Sequence, residues 1–95
     1  MAGVRLIIQF TTESEAEAEQ RVKETAERCL QVQKEPGCVQ FEVFRSAVRP
    51  NAYTLLEHWE SEDALETHLS HMAVRPGPRP GVTREVYEHQ VRETF

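Results

Sequence analysis

The sequence predicts an α+β domain in the order β-α-β-β-α-β, an antiparallel sheet carrying two helices on one face. Four segments alternate apolar and polar residues with period two, and two others repeat their apolar residues at three- and four-residue steps. Pro-Gly and proline-rich stretches separate them. The 95 residues suit a single domain, 1–95, large enough for a core but small enough that a layer supplied by a partner would add considerably to it.

The first strand is VRLIIQF, with Val4, Leu6, Ile8 and Phe10 set against Arg5, Ile7 and Gln9. The period then lengthens. Ala18, Val22, Ala26, Cys29 and Leu30 mark one face of a helix expected from about Glu13 to Lys34. Ser14 and Glu17 form a candidate capping box at its start, acids crowd its first turn, and Pro36-Gly37 stops it. CVQFEVFRS returns to alternation, Val39, Phe41 and Val43 facing one way and Gln40, Glu42 and Phe44 the other. Pro50-Asn51 supplies a turn. YTLLEHWE is the third strand, with Tyr53, Leu55, Glu57 and Trp59 on one face and Thr54, Leu56, His58 and Glu60 on the other. Both faces carry apolar or aromatic groups, which predicts that the outer face is covered as well, most simply by a second subunit.

Ser61 is a good N-cap for a second helix whose stripe is Ala64, Leu65, Leu69 and Met72, with His68 inside the stripe and His71 at its edge. That helix is expected to fray near Ala73. VRPGPRPG is an irregular, stiff loop, and Val82, Val86, Tyr87 and Val91 mark the last strand.

Composition excludes several functions. A net charge of −5 with a pI near 5.3 leaves no basic stripe for a phosphate backbone, so nucleic acid is not an expected partner. MAGVRLIIQF is too short and too alternating for a signal peptide. No apolar run approaches the ~18–20 residues that cross a bilayer. A soluble, cytoplasmic protein with no membrane partner is expected. Cys29 and Cys38 lack metal-ligand spacing, and Cys29 falls on the helix's apolar face as a small buried hydrophobe.

EPGCVQFEVFRS followed by NAYTLLEHWESEDALETHL resembles the antibiotic biosynthesis monooxygenase family. The shared features are a Pro-Gly turn into a strand, an E-x-W-E strand end, an acidic helix start and an A-L-x-x-H-L helix, continuous from about Glu35 to Leu69. The resemblance implies a ferredoxin-like subunit whose sheet packs against its twin as a dimeric α/β barrel, with a pocket between sheet and helices in each subunit. It further implies oxidation of a small phenolic or quinol substrate by O₂ without metal, haem or flavin. Other branches of the family degrade haem, isomerise small molecules or have no assigned activity, so the fold alone fixes no reaction.

Trp59 stands at the family's tryptophan position, where the resemblance makes it a pocket wall, although a large aromatic there also packs between sheet and helix. His68 is the candidate base, because an imidazole in an apolar stripe faces either core or cavity and is able to take a phenolic proton. Tyr53, Leu55, Glu57, Leu65 and Met72 complete the expected substrate-binding set. Glu57 is placed to orient a histidine or to pair with Arg45; Glu42 resembles another family glutamate; Phe41 walls either pocket or interface. His58 faces the interface and His71 solvent. His68 and His71 are an H-x-x-H pair lacking a third metal ligand at a persuasive spacing, so neither metal nor cofactor is expected.

Two departures bear on activity. The family's enzymes place a polar amide on the tryptophan strand and a tyrosine in the next helix, where this chain has Leu55 and Leu65, and the second helix is short. The expected function is a cofactor-independent monooxygenase acting as a homodimer on a small aromatic ligand. The alternatives are a non-catalytic ligand-binding or stress-associated dimer of the same fold, and a haem-binding or haem-degrading protein using His68 or His71.

Overall fold

The computed structural model describes residues 3–72 and 77–88. They form β1 (Val4–Thr11), α1 (Glu15–Val32), β2 (Cys38–Arg45), β3 (Ala52–Trp59), α2 (Glu62–Ser70) and β4 (Val82–Glu88). The strands make one antiparallel sheet in the order β2-β3-β1-β4. This is the ferredoxin-like α+β arrangement, with each helix crossing between strands that are consecutive in the chain but not neighbours in the sheet. Val91 and the fraying expected at Ala73 lie outside the described residues; residues 77–81 contain neither helix nor strand.

Register decides which side chains meet. On the inner face Val4, Leu6, Ile8 and Phe10 of β1 stand opposite Trp59, Glu57, Leu55 and Tyr53 of β3. Phe41 of β2 stands beside Glu57, and Val43 beside Leu55. Both helices pack on this face. Cys29 and Val32 of α1, with Leu65 and Leu69 of α2, join Val4, Leu6, Phe41, Leu55 and Trp59 in one buried cluster. The outer face alternates with it, carrying Arg5, Ile7 and Gln9 beside His58, Leu56 and Thr54, with Phe44 next to Thr54.

α1 starts and stops two residues inside the expected limits. Ser14 Oγ accepts the Glu17 amide at 3.1 Å, which places the cap at residue 14. Its buried stripe also differs: Ala18, Cys29 and Val32 are buried and Val22 and Thr25 half-buried, whereas Ala26 is exposed and Leu30 is 62% exposed. At 3.6 residues per turn, positions 18, 22, 25, 29 and 32 stay in line, while 26 and 30 lead that line by about a quarter to a third of a turn. Val39 likewise corrects the alternation read for β2. Cys38 pairs with Trp59 and Gln40 with His58, so Val39 is the extra residue of a bulge and is 55% exposed.

The turn between α1 and β2 is locked to the start of α2. Gly37 has φ +82°, its carbonyl accepts the Glu60 amide at 2.8 Å, and a Cβ there would stand 2.6 Å from Ala64 Cβ. Gly37→Ala is therefore expected to lower the unfolding free energy by about 1–3 kcal/mol for the backbone conformation alone. A urea midpoint indistinguishable from wild type would contradict it.

Candidate functional site

β3 ends on Trp59, and the Ser61 cap turns the chain directly into α2, so His68 returns over the tryptophan two helical turns later. The two rings stack with centroids 4.7 Å apart and planes 28° apart. Phe41 from β2 meets both edge-on, at 5.6 Å from His68 and 6.3 Å from Trp59. Trp59 and Phe41 have no exposed surface, and His68 is 4% exposed.

Two carboxylates bracket this aromatic group. Trp59 Nε1 donates to Glu57 Oε1 at 2.9 Å. On the other side, His68 Nδ1 lies 3.0 and 3.2 Å from the two oxygens of Glu35, which belongs to the turn after α1. A carboxylate oxygen accepts, so the tautomer that suits this contact carries its hydrogen on Nδ1, and in that tautomer Nε2 is an acceptor. The exposed His71 places its Nδ1 3.7 Å from the same Glu35 oxygen. His68 also occupies the last turn of α2, where the helix dipole favours a cation. Arg28 of α1 closes the arrangement from above, its guanidinium 5.7 Å from the Phe41 ring centre and Nη2 3.9 Å from Met72 Sδ.

Glu57 is 7% exposed and stands between Leu6 and Phe41 on the inner face. Burial pushes its carboxyl above the ordinary glutamate range; the Trp59 hydrogen bond and the His68 charge pull the other way without cancelling it. The fold therefore holds this proton more tightly than the unfolded chain does. Stability from this group is intact below the ordinary glutamate range and is lost as pH rises through the folded value. Glu57→Gln, with no proton to lose, is expected to show a shallower decline of melting temperature with rising pH than wild type. Parallel declines would show that Glu57 is not the group responsible. Burial also raises the thiols of Cys29 and Cys38, both of which are free.

Of the residues expected at the site, Trp59, Glu57 and His68 come together, with Leu65 one turn before His68 on α2 and Met72 just past the helix end. Leu55 lies in the same core, four residues back along β3. Tyr53 stacks on Phe10 at 4.7 Å, about 20 Å from Trp59 at the usual strand rise. The suggested Glu57–Arg45 pair does not form. Arg45 stands opposite Tyr53 and Glu57 opposite Phe41; Arg45 Nη2 instead donates to the Pro50 carbonyl at 3.0 Å. Glu42 and His58 are on the outer face, Glu42 accepting from Gln40 Nε2 at 2.9 Å. Glu35 was not anticipated: it is 33 residues from His68, and its only signal is an acid directly before the Pro-Gly turn. Among the described residues, no group of three or more His, Cys, Asp or Glu side chains could hold a metal ion. No helix among them is long and apolar enough to cross a membrane.

Several solved structures share this architecture. A haem-degrading protein of Mycobacterium tuberculosis superposes with a TM-score of 0.72 at 20% identity, over 100% of both chains. A cofactor-independent oxygenase of Streptomyces nogalater gives 0.62 at 23% identity, over 98% of this chain and 96% of that one. A Pseudomonas aeruginosa protein gives 0.74 at 19%, over 96% and 97%. At these identities the likeness is one of fold. No curated protein matches the chain. The sequence model of the antibiotic biosynthesis monooxygenase family matches residues 3–77, spanning β1 through α2 and so every side chain of the Glu35–His68–Trp59–Glu57 array, and the chain belongs to that family.

Proposed function

We propose that this protein is a cofactor-independent monooxygenase that oxidises a small phenolic or quinol-type aromatic with O₂, working as a cytoplasmic homodimer. The observation that carries the reading is the buried His68 imidazole, tied through Nδ1 to Glu35 and laid on the face of Trp59. In this reading the substrate ring replaces the imidazole on the Trp59 face. The displaced imidazole, still tethered to Glu35, meets the phenolic hydroxyl through Nε2 and takes its proton. The resulting phenolate is electron-rich enough to reduce oxygen. Leu65, Leu55 and Met72 supply apolar surface around the ring, while Tyr53 is assigned to the far end of the sheet's inner face.

The homodimer is inferred from the outer sheet face, where Ile7 and Leu56 are half-buried within one subunit and Phe44 is 46% exposed. Sedimentation showing only a monomer at micromolar concentration would remove this part. The activity is tested by oxygen consumption of metal-stripped protein with a panel of hydroquinones and polycyclic phenols, corrected for autoxidation. Saturable uptake that survives chelation is expected. Absence of enzyme-dependent uptake across the panel would transfer the weight to a ligand-binding dimer, for which Leu55 and Leu65 at the family's polar positions speak.

A haem-binding reading has one specific observation in its favour. An imidazole whose Nδ1–H is held by a carboxylate offers Nε2 in the manner of a haem ligand, and one structural neighbour degrades haem. A Soret band on adding haem, lost in His68→Ala, would favour it over the oxygenase.

A further inference from the structure

Among the described residues, Glu57 and His68 are the buried polar side chains. His68 is explained by the reading above; Glu57 is not. It occupies the middle of a row that runs Val86, Leu6, Glu57, Phe41 across the inner sheet face, where a leucine would serve packing better. The charges that face it are His68 from α2, Arg28 from α1 and Arg84 from β4. Trp59 Nε1 donates to Oε1, which leaves Oε2 as the oxygen that carries a proton when the group is neutral. Glu57 thus lies at the N–H edge of the ring whose face His68 covers, so both proton-transfer groups border the indole on which a substrate would rest.

We propose that Glu57 is a second catalytic residue, first the acid that protonates the peroxide formed on the substrate ring and then the base that removes the ring C–H proton. The inference rests on the oxygenase reading. His68 takes the phenolic proton, and the phenolate's ring carbon adds O₂, forming a C–O bond and a terminal peroxide anion. Glu57 gives that anion its proton. The Glu57 carboxylate then removes the hydrogen from the same carbon as the O–O bond breaks, and the C–H electron pair becomes the new C=O. The departing hydroxide takes the proton from the His68 imidazolium. The sum is phenol plus O₂ to quinone plus water: the ring loses four electrons, oxygen gains four, and both side chains return to their starting states.

The test compares wild type, Glu57→Gln and Glu57→Asp. Glutamine keeps an acceptor for Trp59 Nε1 but exchanges no proton; aspartate keeps the acid with a shorter reach. Quenching of Trp59, the chain's single tryptophan, gives affinity for a polycyclic phenol. Oxygen consumption gives turnover, and a ring-deuterated substrate reports C–H removal. Glu57→Gln is expected to bind within about threefold of wild type and to lose at least about a hundredfold in turnover, with a larger deuterium effect. Glu57→Asp should recover part of that loss. Glutamine turnover within threefold of wild type, or two folded variants equally inactive with an unchanged deuterium effect, would overturn the proposal and leave the oxygenase intact. No oxygen consumption by wild type would instead remove the oxygenase reading, and this inference with it.

Discussion

Trp59→Ala is expected to lower the unfolding free energy by about 3–5 kcal/mol, the usual cost of deleting a large buried aromatic. For a domain of this length total stability is roughly 5–14 kcal/mol, so the variant stands near the limit of folding. The ring is fully buried, covered by His68 on one face and met by Phe41 edge-on, and its removal opens a void that no single neighbour fills. Trp59→Phe separates packing from hydrogen bonding. It retains most of the apolar contact but deprives Glu57 of its indole donor, at a cost of about 1–3 kcal/mol. At ~4–8 °C per kcal/mol, that is a fall on the order of 5–20 °C in melting temperature. The lost bond supports the charged carboxylate more than the neutral acid, so the phenylalanine variant should lose less at acidic pH than at alkaline pH. Thermal melts across pH measure both effects. A Trp59→Ala melt within about 3 °C of wild type would show that the tryptophan does not anchor the core.

The strands were legible because a sheet with one face packed against helices imposes period two on the residues themselves. Tyr53, Leu55, Glu57 and Trp59 share the inner face as their spacing predicts. Helix existence was equally plain, but the phase of α1 was not. Ala26 and Leu30 are as apolar as Thr25 and Val32 or more so, and only the position of the sheet shows which line is buried. Val39 illustrates a second limit, since an inserted residue leaves no mark in an alternating string and shifts every side chain before it. The candidate array was half legible. Trp59 was singled out by the family resemblance and His68 as an imidazole in an apolar stripe, and the fold stacks the two rings. Glu35 and Arg28 follow no rule of spacing. They reach the site because the α1–β2 turn and the last turns of α1 are folded against α2, a contact between segments more than thirty residues apart.

Under the oxygenase reading, His68→Ala is expected to reduce turnover by about 10²–10⁴-fold, the range typical of a lost general base. The expected loss falls mainly in kcat, because the vacated Trp59 face still offers the substrate ring a stacking surface. Glu35→Gln tests the tether separately. The amide oxygen still accepts the Nδ1 hydrogen, so the tautomer that leaves Nε2 free is preserved, but the negative charge that supports an imidazolium is gone. Turnover should then fall by only about tenfold, the loss lying in kcat with KM unchanged. That split distinguishes a positioning charge from a merely structural turn, which would change stability and leave kcat in place. His71 is not a substitute partner. It touches the same Glu35 oxygen at 3.7 Å but is largely exposed, and His71→Ala should leave turnover within about twofold of wild type. If His68→Ala stays within threefold of wild type while folded, proton removal belongs to another group, and the Glu35–His68 pair serves the packing of α2 on the sheet.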